Sequence, residues 1–363
     1  MWLAEFVPKG CAHGRANLYS PGVPFANQYR SSILKRYAAF IALGFGISWL
    51  IWIPAHKLGA GPGVGEEVLA FGSAGPALAA IFLSRSRRKV PTITLSARLF
   101  LFGLLWAMCW AIYVMSDKIR GVNPTQLLRF GLIVALLAAV PAWICCGAFS
   151  SDTGVRKLLR TVMVPRTWRW QAVAFFSFPA ILLVPTTILH AFGLPVVWQR
   201  GSGSLWSLAA YGTLMFLRNL FFTAFLEEPG WRGYLLPNLQ RRFSPLFASL
   251  LIWLPWALWH APLDFSGGVG HSLTHYLQIR VIFLIPITII MTWIYNHSAG
   301  NILSISIFHA GMNTFPFVLP YAPPALGLIF VWAGYAVFAD KMWRRQLNAD
   351  ESSPLTPPGC QAL

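Results

Sequence analysis

Three stretches of the chain place polar, chemically capable side chains inside apolar surroundings. Glu227 and Glu228 stand together in FLEEPGWRGYLLP, followed by Arg232; His260 ends WALWH; His309 and Asn313 lie four apart in ISIFHAGMN. Ionised carboxylates in hydrocarbon are costly, so they pair with a partner or face a wet cavity. Only eleven Asp and Glu occur in 363 residues, and between Asp152 and Asp264 these two are the only ones. On a helix Glu228 and Arg232 share a face and can pair, while Glu227 points about 100° away and is free to face something else. A carboxylate in a low-dielectric pocket can act as general base toward water, and an imidazole can position that water or carry its proton on. His309 and Asn313, also on one helix face, can both donate hydrogen bonds to a developing oxyanion. The set suits hydrolysis without a covalent intermediate, and no GxSxG or Cys/His pattern supplies a nucleophile.

The elements that must position these groups are membrane helices. Hydrophobic residues make up 56% of the chain and charged residues 11%, against roughly 25% charged in a soluble domain. Runs of about 20 apolar residues predict ten spans: 37–54, 64–83, 98–115, 126–149, 170–190, 205–236, 246–262, 276–295, 300–319 and 321–339. The expected fold is therefore all-α, a polytopic bundle of about ten membrane helices with its catalytic core in the C-terminal half. Its expected division is an N-terminal tail (1–36), N-terminal membrane helices (37–204), a core (205–320), a last membrane helix (321–340) and a C-terminal tail (341–363). The net charge of +17 is explained by the positive-inside rule and not by nucleic acid. Alternate loops, from Arg30 to Arg345, carry seventeen basic residues against four (Lys57, Lys118, Arg120 and Arg200) on the other side, so both termini are expected in the cytoplasm. The segment RKLLRTVMVPRTWRW reads equally as a basic, interfacial amphipathic stretch or as a plain positive-inside loop.

The sixth segment is too long for one straight span. Ending it at Leu226 would leave Glu227 at the surface and Arg218 in mid-membrane; extending it to Arg241 and Arg242 places Glu227 roughly 20 Å in. Pro229 cannot donate to the carbonyl of Phe225, which favours a kink there.

In this arrangement the chain resembles the CPBP family of intramembrane glutamic endopeptidases, also called the ABI or type II CAAX prenyl protease family. EEPGWR fits its EExxxR motif, FHAGMN its HxxxN motif, and His260 sits where its FxxxH motif belongs. The similarity covers about residues 205–320. It implies that Glu227 is the catalytic base, that His260 works with it on the attacking water, and that His309 and Asn313 form the oxyanion hole. Glu228 and Arg232 complete the first motif in a supporting role. It further implies a metal-free, cofactor-free peptidase acting on a membrane-associated peptide or protein, CAAX-type substrates included, with the lipid bilayer as its surroundings and the plasma membrane as its expected site. The chain departs from the family pattern at Trp256, where the middle motif has Phe; this is expected to touch pocket shape more than chemistry.

Other readings stand beside this one. Glu227 and the histidines could relay protons in a transporter, although no second copy of either motif is found in the N-terminal half, as inverted repeats would require. A non-catalytic scaffold is a further alternative. Zinc could be held by Glu227, His260 and His309, or by His271 and His275 near Asp264, but HExxH is absent. The five cysteines show no zinc spacing or disulfide framework, and CQAL at the C-terminus has the form of a prenylation box with a polar residue in it. The N-terminal stretch has no apolar core of a signal peptide and is expected to be a tail of low order.

Overall fold

The computed structural model describes residues 24–57, 64–125, 131–163, 168–197, 204–265 and 272–345. The first 23 residues, His271 and the C-terminal CQAL lie outside this set, and so do the readings made of them. The described residues form a polytopic helical bundle with no strand, only two isolated bridges.

Helix α1 runs Pro24–Lys57, starting earlier than the predicted tail boundary. A proline fits a helix start because its missing N–H would have no helical acceptor there. The predicted second span is two helices, α2 (Val64–Gly72) and α3 (Gly75–Ser84). At the break Ser48 of α1 donates to the Gly72 carbonyl at 2.7 Å, and a Cβ on Gly75 would sit 2.2 Å from Ser48 Oγ. α1 is thus tied to the corner, and only glycine lets it come so close. Then follow α4 (Leu95–Ile119), α5 (Gly131–Cys146), α6 (Thr153–Met163) and α7 (Trp168–Ala191). The C-terminal half comprises α8 (Leu205–Gln240), α9 (Pro245–Phe265), α10 (Leu273–His297), α11 (Ile302–Val318) and α12 (Gly327–Ala339).

Among the described residues, seven helical runs are long and apolar enough to cross a membrane, and three shorter apolar helices accompany them. Together they fall on the ten predicted segments. Phe100, Leu104 and Met108 form an exposed apolar stripe on α4, as a lipid-facing surface requires. α6 is the amphipathic piece of the basic segment: Val155, Leu158, Leu159 and Val162 are buried, while Lys157 and Arg160 are exposed.

The site lies where α8, α9 and α11 meet, with α1 and α3 packed behind. α8 is one continuous helix, but its turns widen to the π form at Leu220–Ala224 and again at Pro229–Leu235. The second widening begins at Pro229, where the missing N–H interrupts the ladder; four α-helical residues, Phe225–Glu228, are left between the two. The kink expected from Pro229 is realised as this wide-turn segment. Gly230 completes it: a Cβ there would stand 2.5 Å from the backbone of Pro76, so glycine permits α8 and α3 to touch.

Candidate active site

Glu227 and Glu228 occupy the short α segment between the two wide stretches, and both are buried. Glu228 meets Arg232 one turn on: the Arg232 Nη1 donates to both carboxylate oxygens, at 3.0 and 3.1 Å. Both side chains are completely enclosed. The face of the guanidinium lies over the Trp256 ring at 4.2 Å, and Nε and Nη2 are buried without a hydrogen-bond partner among the described residues.

Helix α11 brings its polar face to this pair. Nδ1 of His309 lies 2.7 Å from Glu228 Oε1, so Glu228 bridges an imidazole and a guanidinium. Asn313 is half-buried one turn further. No protein hydrogen bond reaches its amide among the described residues, while Asn219 of α8 donates to the Asn313 carbonyl (3.4 Å) and the Thr314 hydroxyl (2.9 Å). These two bonds clip α8 to α11 beside the site.

α9 supplies the remaining side. Its regular helix stops at Trp259, His260 is the C-cap, and a short turn, Ala261–Phe265, continues. His260 Nδ1 stands 2.7 Å from the Trp256 carbonyl. A carbonyl only accepts, so Nδ1 carries the proton and Nε2 of the neutral ring keeps its lone pair. The same Trp256 donates its indole N–H to Glu227 Oε2 at 3.0 Å. The substitution of Trp for Phe therefore changes more than pocket shape: it adds a donor to the first carboxylate. Behind His260 a row of indoles fixes the helix end, with Trp49 donating to the Trp259 carbonyl (3.0 Å) and Trp259 to Ser48 (2.8 Å). Trp231 packs edge-on against Phe40 and Trp259, which joins α8 to the same support.

All six residues singled out from the sequence are thus drawn to one region, though Asn313 enters no side-chain bond with the others. Trp256 is the residue that sequence reasoning undervalued; its place four before His260 was the available signal. Among the described residues no three His, Cys, Asp or Glu side chains converge as metal ligands. His275 is half-buried, and Asp264, the acid nearest it in sequence, is held by Arg280 Nε at 3.0 Å. Arg218, which an end of the sixth segment at Leu226 would leave in mid-membrane, pairs with Asp117 and stacks over the Tyr113 ring at 4.0 Å.

Comparison with known proteins covers the segment that holds these residues. Residues 208–315 match the family described as type II CAAX prenyl endopeptidase Rce1-like. A CAAX prenyl protease 2 from Methanococcus maripaludis is 29% identical over 183 residues, covering 47% of this chain and 65% of that protein. The chain thus spans just under two thirds of the length of the relative it matches. Glu227, Trp256, His260 and His309 all lie within the stretch that is similar to the type II CAAX prenyl endopeptidase Rce1-like family.

Proposed function

We propose that the chain is a membrane-embedded endopeptidase that hydrolyses a peptide bond of a membrane-associated substrate, CAAX-type C-termini included, with Glu227 as general base. The observation that carries this reading is the pairing of Glu227 and His260 through one residue, Trp256, at a buried junction of helices to which α11 brings His309. The name of the archaeal relative and the family of residues 208–315 point to the same chemistry.

In this mechanism water sits between Glu227 and Nε2 of His260. Glu227 takes a proton as the water oxygen bonds to the scissile carbonyl carbon. The carbonyl electrons move onto its oxygen, and that oxyanion accepts hydrogen bonds from the Asn313 amide and the His309 ring. When the intermediate collapses, the C–N bond breaks and the Glu227 carboxyl returns its proton to the leaving nitrogen, giving an acid and an amine. Glu228 and Arg232 hold His309 in place. No cofactor enters these steps. Both termini face the cytoplasm in the proposed orientation, and the plasma membrane is the proposed location.

The test is cleavage of a panel of membrane-anchored peptides, prenylated CAAX peptides among them, by the purified protein in liposomes. The wild type should cut at least one, and Glu227→Gln should abolish turnover while remaining folded. A Glu227→Gln variant as active as wild type would overturn the role of Glu227, and a wild type inert on the whole panel would overturn the peptidase reading.

A further inference from the structure

We propose that the indole N–H of Trp256 is a positioning group for Glu227: it holds Oε2 so that Oε1 is the oxygen presented to water. The proposal rests on Glu227 being the general base. A carboxylate has two equivalent oxygens and a broad terminal torsion, so an untethered Glu would present either one over a range of angles. Here one oxygen is held, at 3.0 Å from Nε1 of Trp256, and among the described residues no protein hydrogen bond reaches the other.

The donor is itself immobile. Trp256 is 1% exposed. The Arg232 guanidinium covers its ring at 4.2 Å, and the His309 ring meets it at 5.6 Å with the planes at 77°. Its backbone carbonyl meanwhile accepts from His260. One residue therefore fixes the orientation of the carboxylate through its side chain and that of the imidazole through its main chain. The two groups that would share the water are set relative to each other within one turn of α9. Where the middle motif has Phe, as in the pattern this chain departs from, the ring contacts could persist but the donor could not.

The experiment replaces Trp256 by Phe and, separately, by 3-benzothienylalanine, which keeps the bicyclic shape and lacks the N–H. Each is compared with wild type for kcat, KM and thermal unfolding in detergent. A bond to a charged acceptor is worth enough to lower kcat by about 10–100-fold, with KM within about threefold and, for the isosteric analogue, an unchanged unfolding midpoint. Infrared spectroscopy supplies a readout independent of turnover: the carboxyl band that disappears in Glu227→Gln should be displaced in both Trp256 variants. If wild type cleaves no peptide, the peptidase reading fails, and the infrared band alone decides whether Trp256 holds Glu227. An unmoved band, or a benzothienyl variant with wild-type kcat, overturns the proposal.

Discussion

Nδ1 of His309 lies 2.7 Å from Oε1 of Glu228, although the two residues are 81 positions apart in the chain. This bond changes what the second glutamate is for. On α8 alone Glu228 is half of an ion pair with Arg232; across the helix boundary it also orients the imidazole. Because Nδ1 is committed to Glu228, His309 can reach an oxyanion only from Nε2. To donate from both nitrogens the ring must carry two protons. Two carboxylates, Glu227 and Glu228, then stand with two cations, Arg232 and His309, in a site that is closed to bulk water at Glu228 and Arg232 and nearly so at Glu227 and His309.

Arg232→Ala tests this balance. Removing one partner of a buried pair leaves an uncompensated charge, at a typical cost of about 3–5 kcal/mol. The variant should melt at lower temperature in detergent and lose turnover, since Glu228 would no longer be fixed against His309. Arg232→Lys keeps the charge but loses the planar group lying over Trp256, and should fall between the two. Wild-type stability in Arg232→Ala with only activity reduced would make Arg232 a substrate ligand instead.

Asp152 offers a pH-dependent prediction outside the membrane helices. It caps α6, accepting from the backbone of Gly154 and Val155, and ties in the preceding loop through the Ser86 N–H and Lys89. Burial works to raise its carboxyl, but the N–H groups of Val155 and Ser86 and the Lys89 ammonium outweigh it and hold the group below the usual carboxylate range. A depressed folded value means stability that is complete above the unfolded value of about 3.9 and is lost as pH falls through the folded value. Asp152→Asn should therefore lower the unfolding midpoint at pH 7, and its gap from wild type should narrow as pH drops below about 4. A gap of constant size between pH 7 and the acid end would mean that the contribution of Asp152 does not depend on its charge.

The helical parts of the site were legible because spacing within one helix is a geometric statement. Glu228 and Arg232, four apart, do pair, and His309 and Asn313 do share a face of α11. The ten apolar runs likewise reappear as helices, because length and composition decide membrane crossing. Contacts between helices were not legible. Nothing in the spacing of ISIFHAGMN says that His309 will meet Glu228, and nothing in WALWH says that an indole will reach Glu227. Those bonds depend on how far α8 is rotated relative to α9 and α11, and the two wide-turn stretches of α8 alter that rotation locally. The break between α2 and α3 escaped for the same reason, since it is stabilised by Ser48 of another helix.

Asn313 carries the last prediction. It lies one turn beyond His309, its backbone carbonyl accepts from Asn219, and its side-chain amide is engaged by no described protein group. The helix is thus held at this point while the amide stays available to a ligand. If the ligand is the oxyanion, the amide meets full negative charge only after water has attacked, so its contribution belongs to the transition state and not to substrate binding. Loss of one such donor typically lowers kcat by ~10²–10³. Asn313→Ala should show a fall of that size with KM little changed, and without loss of thermal stability. Asn313→Asp should be no better, because a carboxylate would repel the developing charge. A raised KM with kcat preserved in Asn313→Ala would mean that the amide grips the substrate in its ground state, and the oxyanion role would pass to His309 alone.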